Sequence, residues 1–356
     1  MKTLYITNGD SVSLALRELG VPAQDALPWR DALHIGPIPP PLPEPRMDDM
    51  ALDATRAAFL ADAFSQADAP TAQQIHDDMA ARRQKLADLK DYDRIVLLFE
   101  HDLYDQLQLL QILERLGRRE DVAQRCALAC IDRFDGIEPF WGLGQLNPTQ
   151  LAEVMETAQP VTEEPFDVAR RVWRAIRQPD PKALARALKW DTEALPFLHA
   201  ALLRFCQEFP WQSDGLTLTQ RRLLEAVANP PAEPRLSRPM EPERYARFVQ
   251  AVDSFPRIFN AYMYSEPAPF WGDLGVKGVL DDLTCLPEPL LACTQQDAEN
   301  PMGLETRYAL TPRGAAFMTG ELTGRAVAQQ VMDRGGVRIS PENPWFWDDE
   351  KQTFCV

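Results

Sequence analysis

The chain has 356 residues, 45% of them apolar, and a formal net charge of -16, so it can build two or three cored domains. Its charge has the wrong sign for holding nucleic acid or an anionic membrane surface non-specifically, because phosphate contacts need lysine and arginine. The cysteines at 126, 130, 206, 285, 293 and 355 show neither zinc spacing nor a disulfide framework. Reduced thiols in a cytoplasm are therefore expected, and no apolar run is long enough to span a membrane.

In chain order, residues 3–7 predict a first strand, where a signal peptide would read differently. Asn8-Gly9-Asp10-Ser11 follows, then a helix carrying Leu14, Leu16 and Leu19. A strand, a glycine turn and a helix aim backbone N–H groups at an anion, although this turn is neither a dinucleotide fingerprint nor a P-loop. The bland alternative is that Gly9 makes the turn and Asp10 or Ser11 caps the helix. Residues 25–29 predict a second strand, followed by Arg30, Asp31 and His34. A stiff connector with Pro39, Pro40, Pro41, Pro43 and Pro45 comes next, then helices over about 50–65 and 72–90.

Residues 94–99 form an almost wholly apolar run, as a strand buried on both faces of a parallel sheet would. Leu109, Leu110, Leu113 and Leu116 then recur at helical spacing. Between strand and helix lies the polar segment Glu100-His101-Asp102-Leu103-Tyr104-Asp105. Asp102 can cap the helix, with Asp105 three residues on as in a capping box. Residues 126–131 predict a fourth strand, ending in Asp132 to Gly136, with Trp141-Gly142-Leu143-Gly144 beyond. Strands alternating with helices argue for a parallel α/β domain, Rossmann-like or flavodoxin-like, over residues 1–145.

Asn147-Pro148 opens a helical connector over 146–212. Residues 213–325 then predict helices over about 218–227, 243–252 and 274–283, a hairpin at 290–294 and 305–310, and a last helix from Thr311. Three helices and a hairpin suggest a winged-helix-like domain. Such a domain can read DNA with its third helix, but here that helix sets Asp273, Asp281 and Asp282 against Lys277 alone. The wing carries Asp297 and Glu299 and no basic residue. Strong DNA binding is not expected; a protein contact, such as a homodimer interface, fits better. The tail, 326–356, is rich in aromatic residues and is expected to pack on the body.

The segments ITNGDS at 6–11, LPWRDALHIGPIP at 27–39 and LLFEHDLYDQLQLLQIL at 97–113 resemble the bacterial domain of unknown function 1835 family. YALTPRGAAFMTGE at 308–321, with GGVRI and PWFWDDE at 335–350, resembles the C-terminal part found with it. The resemblance implies a two-part architecture and no particular reaction.

If the loops after these strands converge at the carboxyl edge of one sheet, they make a site. Asn8, Gly9, Asp10, Ser11, Arg30, Asp31, Asp105 and Gln106 are then the ligand residues, with Arg30 as the anion clamp. Asp10, Glu100 and Asp102 are candidate ligands for Mg²⁺ or Mn²⁺. His34, His101 and Asp102 are the candidate catalytic residues, either histidine serving as proton carrier. Metal-assisted hydrolysis or transfer at a phosphate ester of a nucleotide-like molecule suits these parts. Three alternatives stand beside it: a ligand bearing an amine, acids spent on caps and ion pairs, and a non-catalytic sensor or transcription-related regulator.

Overall fold

The computed structural model describes residues 1–41, 49–65, 69–322 and 331–356. Pro43 and Pro45 of the expected connector, and positions 326–330 of the expected tail, lie outside the described residues. The chain divides into two compact units, Met1–Phe205 with Met332–Arg338, and Cys206–Val331 with Ile339–Val356.

The first unit is mixed α/β. In order it carries β1 (Thr3–Thr7), α1 (Asp10–Glu18), β2 (Ala26–Pro28), β3 (Gly36–Pro37), α2 (Asp49–Ala63) and α3 (Ala72–Ala87). Then come β4 (Arg94–Glu100), α4 (Leu103–Leu116), α5 (Glu120–Ala123), β5 (Cys126–Ile131), α6 (Pro148–Glu156) and β6 (Gln159–Pro160). Helices α7 (Glu163–Ile176), α8 (Lys182–Ala187) and α9 (Leu198–Cys206) complete the run. The stretch expected as a connector thus contributes α6 to α9, and residues to Phe205 belong to this unit.

Five strands form one sheet in the order β2-β1-β4-β5-β6. All neighbours are parallel except the short β6, which runs antiparallel to β5. Every residue of β4 after Arg94 is buried, so its unbroken apolar run reflects packing on both faces. Val96 and Leu98 join Val12 and Leu16 of α1 and Leu151 and Val154 of α6 in one apolar cluster. Each such leucine removed from water contributes roughly 1.5–3 kcal/mol. From β1 the chain crosses one way to β2, and from β4 it crosses the other way to β5. Right-handed crossovers in opposite directions put α1 and α4 on opposite faces. Helix α4 is itself buried almost all round, glutamines included, and those glutamines find long-range partners as buried polar groups must. Gln111 Oε1 accepts from Trp29 Nε1 at 2.7 Å, and Gln108 Nε2 donates to the Asp31 carbonyl at 3.0 Å.

The second unit holds α10 (Leu218–Ala228), α11 (Pro242–Gln250), α12 (Phe255–Ser265), α13 (Asp273–Thr284), the antiparallel pair β7 (Leu291–Gln295) and β8 (Arg307–Leu310), and α14 (Pro312–Met318). Helix α12 is an addition to the three helices expected there; it starts after Ser254 with proline in its first turn. Within the expected tail Trp347 is fully buried, and the Phe354 ring meets that of Phe209 at 4.7 Å. Among the described residues no helix is long and apolar enough to cross a membrane.

Candidate functional site

The strand order reverses between β1 and β4, so the loops leaving these two neighbours diverge and open a crevice at the carboxyl edge. A cavity of about 300 Å³ lies there, lined by Asn8, Gly9, Asp10, Ser11 and Val12 from the first loop and α1. Glu100, Tyr104, Trp141, Gly142, Gly144 and Gln145 line the rest. Gly9 is the N-cap of α1 and its backbone is fully extended, a conformation any residue adopts. What glycine supplies is bare backbone: the space a side chain would take is open. No side chain caps α1, so its first-turn N–H groups are available to an anion in the cavity.

Beside this cavity the turn after β4 gathers three buried acids, Glu100, Asp102 and Asp105, each with a carboxylate oxygen within 4.8 Å of the others. Local folding explains how. Asp102 caps α4, its Oδ1 accepting from the Asp105 N–H at 2.9 Å. Asp105 Oδ1 accepts from the Glu100 N–H at 2.8 Å, and its Oδ2 accepts from Asn8 Nδ2 at 2.9 Å. The same Asn8 nitrogen donates to Glu100 Oε1 at 3.1 Å, and Oε1 also accepts from the Leu143 N–H. Gln106 Nε2 donates to the Glu100 carbonyl at 2.7 Å. Among the described residues no lysine or arginine pairs with any of the three acids.

Burial, then the neighbouring carboxylates, push the Glu100 and Asp102 carboxyls well above the usual range. Burial carries Asp105 to about 7 against the pull of its hydrogen bonds from Asn8 and Glu100. Three such acids remain together only if protons or a cation offset their repulsion. Glu100 Oε2 accepts no hydrogen bond among the described residues, and Glu100 is the member of the trio that lines the cavity. An all-oxygen donor set of this kind fits a hard divalent cation.

Of the three expected metal ligands, Glu100 and Asp102 come together. Asp10 lies on the cavity wall in a two-pronged pair with Arg30, 2.6 and 2.7 Å, and that pairing holds its carboxyl below the usual range. Arg30, expected to clamp an anion, also donates to Asp78 at 3.0 Å. Asp31 is buried and accepts from Arg56 Nε and Nη2 at 3.0 and 2.8 Å. His34 is buried with the Tyr104 ring 5.9 Å away. Burial first, and then the guanidiniums of Arg334, Arg56 and Arg204, hold it well below the usual histidine range. His101 stacks on Phe140 at 6.4 Å and meets Phe197 edge-on. Neither histidine lines the cavity.

Asp105 as a member of the acid cluster and the 141–145 loop as the cavity's far wall go beyond the residues expected from sequence. The glycines of Trp141-Gly142-Leu143-Gly144, following a polar strand end, were the signal for the loop. Arg56, the partner of Asp31, carried no local signal. In comparisons with known proteins, no family model and no curated protein matches this chain.

Proposed function

We propose that the first unit binds a divalent cation, magnesium or manganese, through Glu100, Asp102 and Asp105, and a phosphorylated, nucleotide-like small molecule in the adjoining cavity. On this reading it hydrolyses or transfers a phosphate ester. One observation carries the reading: three buried carboxylates, with no basic partner among the described residues, stand at the switch point of a parallel sheet, next to an uncapped helix N-terminus. The reversal of strand order between β1 and β4 supports a ligand crevice there, as in open α/β sheets generally. The kinship with the domain of unknown function 1835 family belongs to the same proposal, as does a cytoplasmic setting, which six free cysteines suit.

When bound, the cation would neutralise charge on the phosphate and polarise its oxygens. The chain's own residues do the positioning. Gly9 lets the backbone approach the phosphate, the α1 N–H groups hold it, and Asn8 ties the α1 loop to the acids. A proton-carrying role for His34 or His101 has no support from their places off the cavity.

A second reading has its own support. The β7–β8 hairpin after helices α10 to α13 is compatible with a winged-helix module, and on that reading the first unit senses a ligand that the second relays to a partner protein. Melting the full chain with Mg²⁺ or Mn²⁺ plus AMP, ATP or ribose 5-phosphate, alongside a phosphate-release assay, separates the two. A cation-dependent rise in Tm with phosphate release supports the enzyme. A rise without release supports the sensor. No rise from any combination overturns both.

A further inference from the structure

The first unit contains a second cavity, of about 450 Å³, which shares Tyr104 with the first. Leu60, Phe64 and Ile75 give it an apolar wall, while Arg30, Asp78 and Arg82 also line it. Arg82 stands out. It is 4% exposed, its guanidinium lies 5.1 Å from the Trp29 ring, and its Nε is 3.2 Å from the Asp78 carboxylate. That Nε has no hydrogen-bond partner, and among the described residues the guanidinium donates no hydrogen bond to the protein. A guanidinium brings five donors and a charge it does not shed. Burial, with Arg115 and Arg30 adding repulsion, works against that charge, while Asp78 and Asp31 favour it.

Asp78 does not settle the account. It is 40% exposed and is shared with Arg30 at 3.0 Å. Asp10 is taken by Arg30 and Asp31 by Arg56. The contrast with Arg56 is direct: equally buried, it donates to Asp31 and to the carbonyls of Ala32 and Ile35. Buried polar groups in folded proteins are satisfied by protein, water or ligand. Arg82 lines a cavity large enough for a small organic molecule, and its guanidinium has donors that the described residues do not use.

We infer that this cavity binds a small amphipathic carboxylate, its acid group held by Arg82 and its hydrocarbon body lying against Leu60, Phe64 and Ile75. A two-oxygen head matches the planar fork of the guanidinium, and the apolar wall takes the chain that water rejects. The inference stands apart from the phosphate-ester reading, since it uses neither the three acids nor α1.

Titration calorimetry of the full chain with octanoate, 1-octanol and octylamine tests it. Octanoate is expected to bind about tenfold or more tighter than octanol, with octylamine weakest, as a charge-assisted pair in a sheltered site implies. Arg82→Gln should erase the preference for octanoate over octanol. Ile75→Trp, which fills the cavity and leaves the charges alone, should abolish binding of both. Octanol binding as tightly as octanoate to the unaltered protein, or no octanoate binding at all, overturns the proposal. So does an Arg82→Gln protein that keeps the preference, since the arginine then serves only its stack on Trp29. If Arg82→Gln fails to fold, the three-ligand comparison and Ile75→Trp still decide.

Discussion

A Cβ on Gly142 would lie 2.0 Å from Glu100 Oε2, while the next N–H, that of Leu143, donates to Glu100 Oε1. The Gly142 φ of 152° belongs to a region that side-chain-bearing residues rarely adopt. The 141–145 loop therefore closes over Glu100 only with glycine at this position. Gly142→Ala is expected to cost about 1–3 kcal/mol in backbone strain alone, and more once Glu100 is displaced. Urea denaturation with and without Mn²⁺ checks it. The variant should lose both stability and any Mn²⁺-dependent gain, and an unshifted midpoint would show that Glu100 is not clamped.

The three acids set a pH dependence. Their folded pKa values are raised above ordinary carboxyl values, Asp105 to about 7. The folded state thus holds protons that the unfolded state has released. Stability contributed by the protonated cluster is present below pH about 4 and is lost as pH rises toward about 7. In EDTA, Tm should fall across that window, with the cluster titrating as a unit. Mn²⁺ should recover the loss at the alkaline end. Asp10 and Asp49, whose carboxyls are held low by arginines among other influences, act only below the window. Asp105→Asn should flatten the profile, and a slope unchanged in that variant would assign it elsewhere.

Asp102 does two jobs that substitutions can separate. Asparagine caps a helix about as well as aspartate, whereas alanine costs about 1 kcal/mol. Asp102→Asn should therefore fold as well as the parent or better in EDTA, since it removes a charge from the cluster, yet lose the Mn²⁺-dependent rise in Tm. Asp102→Ala should lose both. Differential scanning calorimetry in EDTA and in Mn²⁺ reads the difference.

Much of the first unit was legible because its signals are local. The apolar run of β4, the leucine spacing of α4 and the cap at Asp102 all lie within a few residues of one another. The convergence of Asn8 with Glu100 also followed, since parallel neighbours end at one edge. The partners of charged groups were not legible. Arg30 reads as a free clamp until α3 supplies Asp78, and Asp31 reads as a site residue until α2 supplies Arg56. Those choices depend on which helix face turns inward, and both helices have weak amphipathic patterns. Helix α12 was missed although Ser254 and the proline in its first turn mark its start.

The Asp31–Arg56 pair is buried on both sides, with 4% and 0% side-chain exposure. Breaking such a pair strands a charge and costs roughly 3–5 kcal/mol. Asp31→Asn and Arg56→Met should each lower the unfolding free energy read from urea denaturation by that order. The double replacement should cost less than the sum of the two. Strict additivity would mean the two residues do not depend on each other.

Lys277, the lone basic residue of α13, is bound to Asp281 at 2.6 and 2.7 Å. With its cation occupied and acids on both helix and hairpin loop, the full chain should bind random duplex DNA more weakly than micromolar at about 0.1 M salt. Fluorescence anisotropy with labelled duplex reads this, and tighter binding would reverse the assignment of that face.

The pairing of β1 with β4 bears on synthesis of the chain. A ribosome delivers β1 and the three-residue β2 long before β4, so one edge of β1 waits with its N–H and C=O groups unmatched. Over that interval the nascent chain presents a ready template to any other extended strand nearby. Slowing translation between the two strands should therefore raise the demand for chaperones, and the crevice is built only when β4 arrives to close the gap.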